Sequence, residues 1–160
     1  MSLTPRPPLP GFSRRTLLAV SAAGLAALVA GCSSPPADER ETVTSEQADE
    51  LDAQVAVQET LVAAFAAAGA ADPALGTAVA ELAAQADEQL TRLRAAAPDA
   101  SSSASSAAAP AGGDVRAWLR GQVAAAANSH ATASVDQSGA RAALLGSIAA
   151  GLRGQDGRLA

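Results

Sequence analysis

Catalysis and metal binding need side chains that attack, transfer protons or ligate, and this chain is sparing with them. Its 160 residues include one cysteine, Cys32, and one histidine, His130. A lone cysteine excludes an intrachain disulfide. His130 would need an acid and a nucleophile around it to catalyse, or two or three more ligands to hold a metal. No serine, histidine and acid arrangement, glycine-rich phosphate loop or metal-spaced cysteine set is present. No catalytic residue is therefore assigned, no enzyme activity is expected and no cofactor is implied.

The segments that must position these residues read as helices. Thr44 and Gln47 have capping-box spacing, and Glu46, Asp49, Glu50 and Asp52 crowd the first turns, where the helix dipole favours negative charge. That cluster reads as a solvated helix start. Ala48, Leu51, Val55, Val62 and Phe65 then recur at helical spacing, with Gln58 taking one place in the stripe, and Gly69 is the expected stop. Asp72 followed by Pro73 starts a second helix, whose stripe runs through Leu75, Val79, Leu82, Ala86, Leu90 and Leu93 until Pro98 ends it. Asp114 caps a third, carrying Val115, Trp118, Leu119, Val123 and Ala126 to about Ser134. After a turn with Asp136 and Ser138, a fourth carries Leu144, Leu145, Ile148, Leu152 and Leu159. No segment reads as a strand.

Between the pairs lies PDASSSASSAAAPAGG, residues 98–113, a low-complexity linker with nothing to bury. Two hairpins of amphipathic helices close most simply into an antiparallel four-helix bundle over residues 43–160. Alanine dominates, tyrosine is absent, and Phe65 and Trp118 are the only aromatics beyond the first dozen residues. Alanine favours helix but buries little area, so the helices must approach closely. Gly146, Ala150 and Gly154 are spaced to form a close-contact ridge, and Trp118 is expected as a core anchor. Near the apolar seams sit Gln58, Glu59, Gln89, His130 and Gln155. With about 1.5 Å of rise per residue, Glu59 and His130 fall toward one end of the bundle and Gln89 and Gln155 toward the other, so the set does not form one layer. Glu59 with His130 would be a buried pair that raises the histidine pKa.

The firmest signal lies upstream. SRRTLLAVSAAGLAALVAGCSS, Ser13 to Ser34, sets Arg14 and Arg15 before an apolar run from Leu17 to Ala30 that is short for a membrane span, which needs about 20 residues. SRRTLL resembles the bacterial twin-arginine export motif, with Ala19 where that motif often has lysine, and both twin-arginine and general secretion stay open. Val29-Ala30-Gly31-Cys32 resembles a bacterial lipobox. That resemblance implies diacylglycerol on the Cys32 thiol, cleavage just before it, and residues 1–31 as a cleaved signal peptide. The mature protein would be anchored on the outer face of the cytoplasmic membrane, with residues 32–42 as a flexible tether. Arg6, Arg14 and Arg15 leave with the leader, so 8 arginines face 16 acids and the mature net charge is −8. Such a surface repels phosphate backbones, so nucleic acid is excluded as a partner and the lipid must hold the protein at the membrane.

The lipobox, the alanine-rich hairpins and above all RAALLGSIAAGLRGQDGRLA, Arg141 to Ala160, resemble the ferritin-like domains of unknown function of actinobacterial lipoproteins. The resemblance implies a ferritin-like bundle and no established activity. Gln155 stands where members often carry histidine. A carboxylate-bridged di-iron centre in such a fold takes a glutamate from each of two helices and Glu-x-x-His from the other two. Here Glu81 is followed at the third position by Ala84 and Glu88 by Thr91, so the pattern is missing. Two function classes follow. The first is a non-catalytic envelope lipoprotein whose helical domain binds a protein partner or an apolar ligand. The second handles metal or electrons at an atypical site of Glu59, Glu88 and His130.

Overall fold

The computed structural model describes residues 43–101 and 107–160, and every regular element among them is helical. Helix α1 spans Ser45–Ala71, α2 Pro73–Ala78, α3 Ala80–Ala96, α4 Val115–Asp136 and α5 Gly139–Leu159. Arg14, Arg15, Val29, Ala30, Gly31 and Cys32 lie outside the described residues.

The helix starts follow local chemistry. Thr44 Oγ1 accepts from the Gln47 amide and Gln47 Oε1 accepts from the Thr44 amide, each at 3.2 Å, closing the capping box. Asp72 caps α2 by accepting from the Ala74 and Leu75 amides at 3.0 Å, with Pro73 at the first helical position. Asp114 accepts from the Ala117 amide at 2.9 Å at the start of α4. The second expected helix is broken at Val79, with α2 set off from α3. Two local causes coincide there. A Cβ on Gly76 would stand 2.8 Å from the Gly69 Cα, so the backbones of α1 and α2 nearly touch. Thr77 also turns its hydroxyl back to the Pro73 carbonyl at 3.0 Å, a bond that bends helices.

Helix α1 packs against α3 and α4, α4 packs along α5, and α5 meets α3. Hydrogen bonds give the directions. Gln47 meets Asp136 and Gln137 while Gln58 meets His130, so α1 and α4 are antiparallel. Glu81 pairs with Arg158, Gln85 accepts from Gln155, and Gly151 lies against Gln89, so α3 and α5 are antiparallel too. Arg120 pairs with Asp156 across α4 and α5 at 2.8 Å. Helices α1 and α5 thus run one way, and α3 and α4 run the other. The end of α3 and the start of α4 therefore lie at opposite ends of the set, about 30 Å apart by the length of α4.

The core is aliphatic and alanine-rich: Leu51, Leu61, Leu93, Leu119, Leu145, Ile148 and Leu152 are essentially inaccessible, with Ala64, Ala68 and Ala86 between them. Each leucine of this kind contributes about 1.5–3 kcal/mol by leaving water. Phe65 is buried, and Trp118 is half-buried and packs on the core's edge. The expected ridge of Gly146, Ala150 and Gly154 is not at an interface. Ala150 and Gly154 are exposed, Gly146 is half-buried, and a Cβ added at either glycine would meet nothing within 4 Å. Helix α5 buries its leucine stripe instead, and the close backbone approach is at Gly69 and Gly76. By length and composition α1 alone among the described residues could cross a membrane; here its apolar positions Leu51, Val55, Leu61 and Phe65 are core.

Candidate functional site: a neutral polar thread and an acidic end

Inside the bundle a chain of polar groups links three helices. His130 on α4 is fully buried, and its Nε2 lies 2.9 Å from Gln58 Oε1 on α1. Gln58 Nε2 donates to the Ala86 carbonyl at 2.9 Å and to Gln89 Oε1 at 3.2 Å, both on α3. A carbonyl only accepts, so the Gln58 amide must face Ala86 with its nitrogen and His130 with its oxygen. His130 therefore carries its proton on Nε2. Its Nδ1 is buried without a hydrogen-bond partner among the described residues. Burial lowers the His130 pKa to about 4, because a charged imidazole in that site would lose its hydration.

This arrangement corrects two expectations. Glu59 does not pair with His130: it bonds the Arg94 guanidinium on α3 at 2.7 Å, and the histidine pKa falls instead of rising. One residue of helix, about 100°, separates the faces of Gln58 and Glu59, so Gln58 reaches His130 while Glu59, also buried, turns to Arg94. Gln58, Gln89 and His130 do meet, because α4 runs parallel to α3; the separation expected from sequence assumed the other order of directions. Gln155 is buried on α5 and donates to Gln85 Oε1 at 3.2 Å, outside the thread.

The atypical trio is not assembled. Glu88 is exposed and pairs with Arg92 one turn on, Glu59 is held by Arg94, and His130 by Gln58. No group of three or more histidine, cysteine or acidic side chains among the described residues is placed to hold a metal ion. The interior offers amide and imidazole groups that hold helices together, with no converging carboxylates.

The molecule's other polar concentration lies at the end where α1 begins and α4 finishes. A cleft of about 530 Å³ is lined by Thr44, Glu46, Gln47, Glu50, Asp136 and Gln137. Gln137 is buried and donates from Nε2 to the Gln47 carbonyl at 2.8 Å, while its Oε1 has no hydrogen-bond partner among the described residues. Sequence reading passed over Gln137, since a glutamine in a turn carries no periodic signal. A separate apolar groove of about 260 Å³ runs between α1 and α4, lined by residues that include Val57, Leu61, Ala125 and Ala126.

Fold and geometry together define an all-α domain with a neutral polar thread in its interior and an acidic end. No family model, curated protein or solved structure matches the chain.

Proposed function

We propose that this is a membrane-anchored cell-envelope lipoprotein whose ferritin-like four-helix domain is a non-catalytic binding module. The observation that carries the reading is the His130–Gln58–Gln89 thread. Where α1, α3 and α4 meet inside the domain, the polar side chains are neutral groups bonded to one another, and the Glu-x-x-His pairs of a di-iron centre are missing from the sequence. Binding then falls to the surface. The helix order supports the ferritin-like reading, since one long crossover joining two parallel helices of an otherwise antiparallel set is that fold's connectivity. The groove between α1 and α4 is a place for a small apolar ligand, and the acidic end is a place for a protein partner.

The anchor rests on Val29-Ala30-Gly31-Cys32 and the basic, acid-free leader before it. Buried methylenes contribute about 0.8 kcal/mol each, so two or three acyl chains hold a protein to the bilayer almost permanently. Growth with a labelled fatty acid tests this part: the wild-type chain is expected to carry label and sediment with membranes, and Cys32→Ser to lose both. Label retained in Cys32→Ser would overturn it. Crosslinking in the intact envelope tests the binding part. Reproducible capture of one partner species is expected, and a domain that captures none and binds no apolar probe contradicts it.

A further inference from the structure

The four long helices do not hold one another equally. Helix α1 reaches α3 through Gln58 and through Glu59 to Arg94 at 2.7 Å, and it reaches α4 through Gln58 to His130 and through Gln54 to Ser129 at 3.1 Å. Helices α4 and α5 pack along their lengths, whereas α3 and α5 meet least of the neighbouring pairs. The polar links from α5 to α3 among the described residues all come from its second half. Gln155 donates to Gln85 at 3.2 Å, Arg158 pairs with Glu81 at 3.6 Å, and Gly151 lies against the Gln89 amide.

That half, residues 151–159 with the sequence GLRGQDGRL, is weakly held. Only Leu152 and Leu159 among its nine residues bring apolar side chains to the core. Three are glycines, which are poor helix formers, and a Cβ added at Gly154 or Gly157 would meet nothing within 4 Å, so packing does not call for them. The ion pairs stand in water: Arg158 and Glu81 are both more than half exposed, and Arg120 and Asp156 are partly so, which leaves each pair little to contribute. Gln155 makes the closed position costly to itself. It is buried, its one bond goes to the exposed Gln85, and its Oε1 has no hydrogen-bond partner among the described residues. Turning that side chain out to water gives up one bond between neutral amides and hydrates a stranded oxygen, and the second is worth at least as much as the first. The first half of α5 differs, since Leu145, Ile148 and Ala149 are essentially inaccessible.

We infer that residues 151–159 form a strap that releases from α3 and α4 as one unit while the rest of the bundle stays closed. Beside the strap's ion-pair partners Glu81 and Arg120 stand Leu82 and Leu119, both buried in the closed state. Release of the strap bares them, so the open state shows an apolar face that the closed state hides. The inference goes beyond the reading of the domain as a binding module and stands without it.

Amide hydrogen exchange in the full chain, followed residue by residue by NMR, tests it. The amides of residues 153–159 are expected to share one level of protection, about tenfold or more below that of Leu145 to Ala149 in the same helix. Gln155→Leu removes the stranded oxygen and is expected to slow exchange in the strap by about tenfold, with an unchanged circular dichroism spectrum. A second variant works without touching the interior: Glu81→Cys with Arg158→Cys, joined by a short bismaleimide in a Cys32→Ser background, ties the strap to α3 and is expected to slow the same amides together. Protection that declines smoothly from residue 153 to the end is ordinary fraying and would overturn the inference. So would strap amides as protected as that of Ile148, exchange quickened by the leucine, or exchange untouched by the crosslink.

Discussion

The two polar regions of this molecule are built on opposite rules. In the interior, Gln58 joins His130 to α3 with every group neutral, and the histidine is held uncharged by the site around it. At the end where α1 begins, full charges gather at the surface and an amide oxygen is left over. Burying an unpaired charge in a low-dielectric interior is costly, whereas solvent shields charges at the surface. The interior thread therefore works for the fold, and the acidic end is free to work on something else.

If the thread is structural, cutting its centre is the largest single effect to expect. Gln58→Ala removes the bonds to His130, Ala86 and Gln89, strands an imidazole N–H and opens a cavity, at a cost of about 3–4 kcal/mol in chemical denaturation. A loss under about 1 kcal/mol would mean that the thread is not what joins α1, α3 and α4.

Acid should act on the same group. The folded pKa of His130, about 4, lies below the ordinary value of 6.5, so the unfolded chain binds the proton more tightly and stability falls as pH drops from 6.5 toward 4. The neutral histidine's contribution is fully present above 6.5, and on the order of 3 kcal/mol is lost by pH 4. His130→Gln should flatten that part of the stability profile. A profile whose slope survives the substitution would assign the acid sensitivity elsewhere.

Smaller effects separate the two glycine sets. Gly76→Ala forces a Cβ to 2.8 Å from the Gly69 Cα, and about 1–3 kcal/mol of destabilisation follows. Gly154→Ala meets nothing within 4 Å inside a helix and should stabilise by up to about 1 kcal/mol. Thermal melts of the pair report which glycines are contact points, and the reverse order would restore the ridge on α5.

Caps and stripes were legible in the sequence because they are local. Thr44 with Gln47, Asp72 with Pro73, and Asp114 each act within one turn, and the leucines of α3 and α5 bury as their spacing implies, save Leu144, which is half-buried. Direction was not legible. Whether residues 98–113 return the chain to the same end or carry it to the other depends on which packing buries more, and a low-complexity stretch encodes neither. The opposite choice sets His130 and Gln89 at different ends, whereas Gln58 links them in the fold. The glycine ridge failed for a related reason, since four-residue spacing marks a face of a helix and does not say what that face meets.

The central claim is that the His130–Gln58–Gln89 thread is neutral and its members are bonded to one another, leaving binding to the surface. Nitrogen-correlated NMR of the His130 imidazole, with and without stoichiometric iron(II) or manganese(II), tests it most directly. The expected spectrum shows the neutral ring protonated at Nε2, unchanged from pH 7 to about 5 and indifferent to both metals. A ring that becomes charged in that range, or a resonance shifted or broadened by one equivalent of metal and restored by chelator, would contradict it.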